Sequence, residues 1–509
     1  MRFTLVTVLA LVAAVGMWSF AGVKALYAVA GMEITHAEML YGQSELADED
    51  ASPDEEDEVN DSDADDSSSP SEDDSEGNEE KEEGNDDADE DDDADDDDGD
   101  DEKEKSKRTA VGVKPGRVPE FVTKGVAWLI AAQHNDGGWG GGSHAAQNVL
   151  DPHAVTTDPA TTSFTLLALL RSGHTPIAGE YKAQVRKGLE YLVTAVEAAP
   201  ADGPLITAVE GTQPQAKLGR NVDTAMTAQY LARALSILPK DDQLHARVDK
   251  ALDTCLAKLQ VSQGQDGSWG KGGGWAPVLE SSLSCSALEI AAANGKQVDR
   301  EVLERARDYQ KQNFNVQSGK ADATAAAGVE LYAFNGAFRA NASEAAEADS
   351  LIADAKLGGK LQADAPATEE NLQIAGAAKP EQARKLAAAS AQNAAQIARL
   401  SDEQLLSGFG NNGGEEFLSY LMTSETLLIA GGDKFHPWQD KMQGRLSKVQ
   451  NADGSWSGHH CISSPVFCTA AVVQCLTADQ DAEFLVAMAK RTGGDAAKVA
   501  AADSPQVEK

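Results

Sequence analysis

Aromatic side chains make up only 5% of the 509 residues, which argues against a cavity walled by aromatic rings. Cysteine is scarce and odd in number: Cys255, Cys285, Cys461, Cys468 and Cys475, all in the second half of the chain. Positive charge is short as well, with 43 Lys and Arg against 83 Asp and Glu and a net charge of −40. That sign disfavours a nucleic acid partner, whose phosphates call for Lys and Arg.

The charge is not evenly spread. Residues 45–104 contain 36 acidic residues and two lysines, so this one stretch carries −34 of the −40. With almost nothing apolar to bury, such a segment cannot offset its conformational entropy, and it reads as a disordered spacer over residues 31–117. Asp63-Ala64-Asp65-Asp66 and Asp93-Ala94-Asp95-Asp96 lie inside it. A carboxylic acid gains proton-donating power from burial in a dry site, so in this setting the D-x-D-D string reflects composition alone.

Ahead of the spacer, residues 3–23 run without a charge between Arg2 and Lys24. That length can span a bilayer. Ala28-Val29-Ala30 offers a signal-peptidase site, so residues 1–30 are either a membrane anchor or a cleaved signal peptide. Both readings place the rest of the protein outside the cytoplasm, anchored to the cell membrane or released to a periplasmic or extracellular space.

What the chain does have is a repeated phrase. Gln133-His134-Asn135-Asp136-Gly137-Gly138-Trp139, Gln263-Gly264-Gln265-Asp266-Gly267-Ser268-Trp269 and Gln450-Asn451-Ala452-Asp453-Gly454-Ser455-Trp456 share the pattern Q-x-x-D-G-[GS]-W. Each copy follows an amphipathic helical run and precedes a second one. Asp-Gly makes a turn in which the glycine takes a positive φ. The Trp has a large apolar face to bury and one N–H to satisfy. The phrase therefore predicts a helix–turn–helix hairpin stapled to its neighbour, a structural repeat more than a chemical site.

These copies resemble the QW repeat of the prenyltransferase and squalene cyclase family. The resemblance, over roughly residues 118–490, implies an all-α fold, an α/α toroid of six helical hairpins closed in a ring. Helical periodicity supplies six pairs of runs: 121–133 with 159–172, 181–197 with 222–238, 244–260 with 280–293, 300–313 with 322–338, 380–400 with 415–429, and 438–450 with 465–476. Residues 341–379 form an Ala-rich rim insertion and 491–509 a loose tail. The family's chemistry does not carry over with the repeat. The body lacks the D-x-D-D acid of the cyclases and the D-x-C zinc ligands of the protein prenyltransferases. It also lacks the G-C-G-E-Q of the thioester-bearing toroids.

Two sets of residues remain as candidate sites. Asp158, Asp223, Glu280, Asp322 and the Glu415-Glu416 pair start inner helices and face one mouth. Each either caps free N–H groups or contributes to an acid/base site. Closing the ring also sets the first loop, with His134, His144, Asp151 and His153, beside the last, with His459, His460 and Cys461, and near Cys468. Imidazole and thiolate are the ligands zinc prefers, so His144, His153, His459, His460, Cys461 and Cys468 form a candidate metal cluster. Disulfides Cys255–Cys285 or Cys461–Cys468, or plain burial of the thiols, compete with it.

Two functions follow. One is a tethered or exported toroid that binds an apolar small molecule or a protein partner in its central cavity. The other is an enzyme of isoprenoid transfer or glycan cleavage that uses the seam cluster or the mouth carboxylates.

Overall fold

In a computed structural model, the chain divides into two units, Met1–Asp96 and Asp97–Lys509. The residues described are 113–492, all in the second unit. The anchor, nearly all of the spacer and most of the tail expected from sequence lie outside them. Among the described residues, no helix is long and apolar enough to cross a membrane.

Six outer and six inner helices alternate along the chain. The outer helices are α1 (Glu120–Ala131), α3 (Lys182–Ala198), α6 (His245–Ser262), α8 (Arg300–Gln312), α11 (Pro380–Arg399) and α14 (Phe435–Leu446). The inner helices are α2 (Pro159–Arg171), α5 (Val222–Ile237), α7 (Pro277–Ala293), α9 (Glu330–Leu357), α13 (Gly414–Ala430) and α15 (Pro465–Leu476). Each inner helix packs on the next, and α15 returns to α2, so the ring is closed. Among the described residues, the remaining α-helices are α4 (Gln213–Lys217), α10 (Glu369–Ala375), α12 (Glu403–Leu406) and α16 (Ala482–Thr492), beside one two-stranded hairpin and several single 3-10 turns.

The two kinds of helix differ because their surroundings differ. Outer α8 is mostly charged and buries Val302, Leu303, Ala306 and Gln310, an apolar stripe at helical spacing. Inner α5 is buried without a break from Val222 to Ala234, as befits a helix with neighbours on every side. Small residues such as Thr224, Ala225, Thr227 and Ala228 let the inner helices approach closely.

The threefold phrase does one job three times. Trp139, Trp269 and Trp456 are fully buried, and their indole N–H groups donate to Leu129 O, Leu259 O and Leu446 O at 2.7, 2.9 and 2.8 Å. Each phrase glutamine donates to its own turn and to the first turn of the next outer helix: Gln133 to Gln184 O, Gln263 to Val302 O and Gln450 to Phe121 O. The last of these joins the final hairpin to the first. Gly137, Gly267 and Gly454 have φ of +93°, +87° and +92°. A side chain on any of them would run into the neighbouring outer helix, at Lys187, Arg305 or Lys124.

Three sequence expectations are corrected. The fourth inner helix starts at Glu330 rather than 322, because residues 322–329 form turns that follow the short hairpin Phe314–Asn315 with Lys320–Ala321. That same helix runs unbroken through residues 341–357, and its outer end packs with α10 and α11 around Ala348, Ile352 and Leu372. Finally, the sequence pattern ends the last helix at 476, yet α16 forms and lies against α7 and α13.

Helix α16 plugs the ring at the carboxyl ends of the inner helices. Phe484, Leu485 and Met488 line the central chamber together with Phe164, Leu167, Leu283 and Leu421, leaving a cavity of about 40 Å³. Asp481, in the turn before α16, accepts from Arg233 through both oxygens at 2.6 Å and from Arg171 at 3.1 Å. Arg171 also pairs with Glu425, and Glu289 with Arg307 and Arg339. The Arg233 guanidinium stacks on the Phe484 ring at 3.6 Å.

Candidate functional site

At the opposite end, the amino termini of the inner helices form the mouth. Their acids are spent on backbone N–H groups. Asp158 caps its own helix by accepting from Thr161 N and Gly141 N, each at 2.7 Å. Asp223 reaches across to Ala160 N at 3.0 Å and accepts from the Gln215 amide at 2.7 Å. Glu280 accepts from Asn221 N, at the start of α5. Glu415 accepts from Ile462 N at 3.1 Å, and Glu416 from Phe409 N and the Tyr332 hydroxyl at 2.9 and 2.6 Å. Each carboxylate thus closes an orphan donor, some on a neighbouring helix.

Burial pushes these acids up: Glu280 to about 8, Glu415 to about 7, with Asp158 and Asp223 also raised. Glu280 Oε2 is buried with no hydrogen-bond partner, the state expected of an oxygen that is not carrying a full charge. Asp322 does not belong with them. It is exposed and holds only the Thr324 turn, at 2.9 Å to the backbone N–H.

A lid lies over the mouth. Thr212 and Gln215 form a capping box that starts α4. His144 N donates to Gly211 O and Gln213 N to Gly142 O, tying the lid to the first loop. The Gln213 amide oxygen accepts from Ser463 N and Ser464 N at 2.7 and 3.1 Å, tying it to the last loop. Trp275 N and Ala276 N donate to Lys217 O, tying it to the second phrase loop.

Ring closure brings the first and last loops together, with Ser463 Oγ donating to Gln147 O at 2.8 Å. It does not gather the six metal candidates. His153 bonds Ala131 O and lies 5.4 Å from the His134 ring, centre to centre. His144 is engaged by Gln147 at 2.6 Å. His460 lies between Phe409 and Glu416, with Nε2 3.7 Å from Glu416 Oε2, and its ring centre is 5.7 Å from that of His459. Cys461, at φ +57°, faces Glu415 with its thiol pushed up, first by burial. Cys468 is buried against Ile462 O. Among the described residues, no three His, Cys, Asp or Glu side chains converge on a point where an ion would sit. All five thiols are free, so neither candidate disulfide is formed.

The structure adds mouth residues that sequence reading did not single out. Lys217 is buried, with its ammonium 4.1 Å from the centre of the Trp275 ring, and its charge acts on His144, His460, Cys461 and Glu415. The signal was present in Thr212-Gln213-Pro214-Gln215, which pairs a capping-box spacing with a helix-starting proline.

A closed ring of helical hairpins with a mouth of capping acids defines an α/α toroid, similar to those of the prenyltransferase and squalene cyclase family. Residues 108–204, which hold the first hairpin, the first phrase and α3, match the family model of the squalene-hopene cyclase C-terminal domain. No curated protein matches the chain.

Proposed function

We propose that this toroid is a binding module that performs no isoprenoid cyclisation, and that it engages its ligand at the mouth. The observation that carries this reading is the chamber, about 40 Å³ and stopped by α16. Sites for drug-sized ligands run to roughly 300–1,000 Å³. A long apolar substrate has no room while α16 is seated, and the buried Asp481–Arg171–Arg233 cluster holds that helix in place. The mouth acids also lack the arrangement of a reactive site, because each is occupied with backbone donors.

The test is to incubate the full-length protein with squalene, farnesyl diphosphate and geranylgeranyl diphosphate. The expected result is no product and no shift in melting temperature; turnover of any of the three would overturn the reading. In the same proposal the module acts outside the cytoplasm, held or delivered by residues 1–30. Cell fractionation that recovers the full-length chain as a soluble cytoplasmic protein would reject that placement.

A further inference from the structure

We propose that the mouth holds a pocket for a carboxylate attached to a flat or ring-shaped body, built from Lys217, Gln213 and Trp275. The inference rests on the reading of the toroid as a binding module, and it names the ligand class.

The starting point is a census of buried cations among the described residues: Arg171, Lys217, Lys258, Arg233 and Arg339. The three arginines pair with Glu425, Asp481 and Glu289. Lys258 donates to Pro200 O and Gly203 O at 2.7 and 2.9 Å. Lys217 is 5% exposed, yet its ammonium makes no hydrogen bond and no ion pair among the described residues, and it lies over the Trp275 ring. The lack of a protein acceptor makes this position unlike the other four.

A second donor on the same short helix is also idle. Gln213 is fully buried, and its amide oxygen is used by Ser463 and Ser464, but Nε2 has no acceptor. Residues 213 and 217 are four apart and share one helix face. One ammonium and one amide N–H suit the two oxygens of a single carboxylate. A dianion is disfavoured, because the single ammonium would leave its second negative charge without a cation.

Trp275 supplies the rest of the pocket. It is 63% exposed, and its backbone N–H donates to Lys217 O at 3.0 Å, which fixes the residue beside the lysine. An indole held in water next to an unpaired cation offers a stacking face for the body of the ligand.

The test is calorimetric titration of the full-length protein with benzoate and with glucuronate, using inorganic phosphate as the dianion comparison. The expected result is saturable one-site binding of at least one carboxylate, with phosphate weaker. Lys217→Met should weaken it by about tenfold or more, the loss of a charge-assisted hydrogen bond. Trp275→Ala changes an exposed residue and leaves folding intact, so it serves where Lys217→Met fails to fold, and it should also weaken binding. No saturable binding of either carboxylate, tighter binding of phosphate, or full affinity in Trp275→Ala would each overturn the pocket. Turnover of an isoprenoid would sink the binding-module reading, whereas absent carboxylate binding without turnover would sink the pocket alone.

Discussion

The two ends of the ring bury their acids in opposite ways. At the mouth, Asp158, Asp223, Glu280 and Glu415 have backbone N–H groups for partners, and burial dominates, so their carboxyls are pushed up. At the plugged end, Asp481 is buried too, but two guanidiniums outweigh the desolvation and hold it down near 2. Glu289, beside Arg339 and Arg307, is likewise lowered. Burial alone does not decide the protonation of an acid; the charge of its partner does.

The largest expected effect lies in the joints that hold both ends in register. Trp269→Ala should cost about 3–5 kcal/mol, the range for removing a buried large aromatic, measured by urea unfolding. A variant as stable as wild type would show that the phrase does not staple the hairpins. Next comes the plugged end. Asp481→Ala strands Arg233 and leaves Arg171 with Glu425 and the Gln474 carbonyl, at a cost of about 3 kcal/mol, at the low end for breaking a buried pair. Near-neutral stability would mean that α16 is held by its apolar face and not by charge.

The ends should also respond to pH in opposite senses. An acid raised in the folded state, such as Glu280 at about 8 or Glu415 at about 7, stabilises fully below its unfolded pKa, near 4.5. That contribution is lost as pH rises through the folded value. Asp481, lowered to about 2, contributes fully above its unfolded pKa, near 4, and loses that contribution as pH falls toward 2. The melting temperature should therefore be higher at pH 5 than at pH 8 and fall again below pH 4. A melting temperature that rises from pH 5 to pH 8 would show the mouth acids to be ordinary carboxylates. Glu280→Gln should narrow the difference between pH 5 and pH 8, because it removes one of the groups that gains charge there. The smallest effect belongs to Asp322→Asn, an exposed turn residue, expected to stay within about 0.5 kcal/mol. A larger loss would return Asp322 to the group of ring-stabilising acids.

Most of the ring was legible because its signals are local. Asp-Gly followed by Trp dictates a turn and a buried indole within seven residues, and the inner helix predicted at 465–476 is Pro465–Leu476. Capping acids such as Asp158 were legible for the same reason, since a carboxylate before a helix-starting proline has nearby N–H groups to accept. Asp322 misled because the same local cue also opens an ordinary turn, and turns occupy residues 322–329, the first part of the run assigned to the helix.

The sequence by itself determined six hairpins and their order, because helix periodicity and turn chemistry act over a few residues; the meeting of the first with the last was implied by the resemblance to a family of closed rings. Tertiary structure alone decided what fills the ring and what covers it. The apolar spacing of α16 is that of any amphipathic helix, and its place as a plug depends on Asp481 meeting arginines 248 and 310 residues away. Whether His144, His459, His460 and Cys461 form one ligand set turned on side-chain directions across two loops. Which lysine would stand over an exposed indole without a protein acceptor depended on the lid meeting the second phrase loop, 58 residues further on from Lys217 to Trp275. Contacts at such separations leave no periodic trace in a sequence, since any residue of suitable chemistry can make them once the ring has closed.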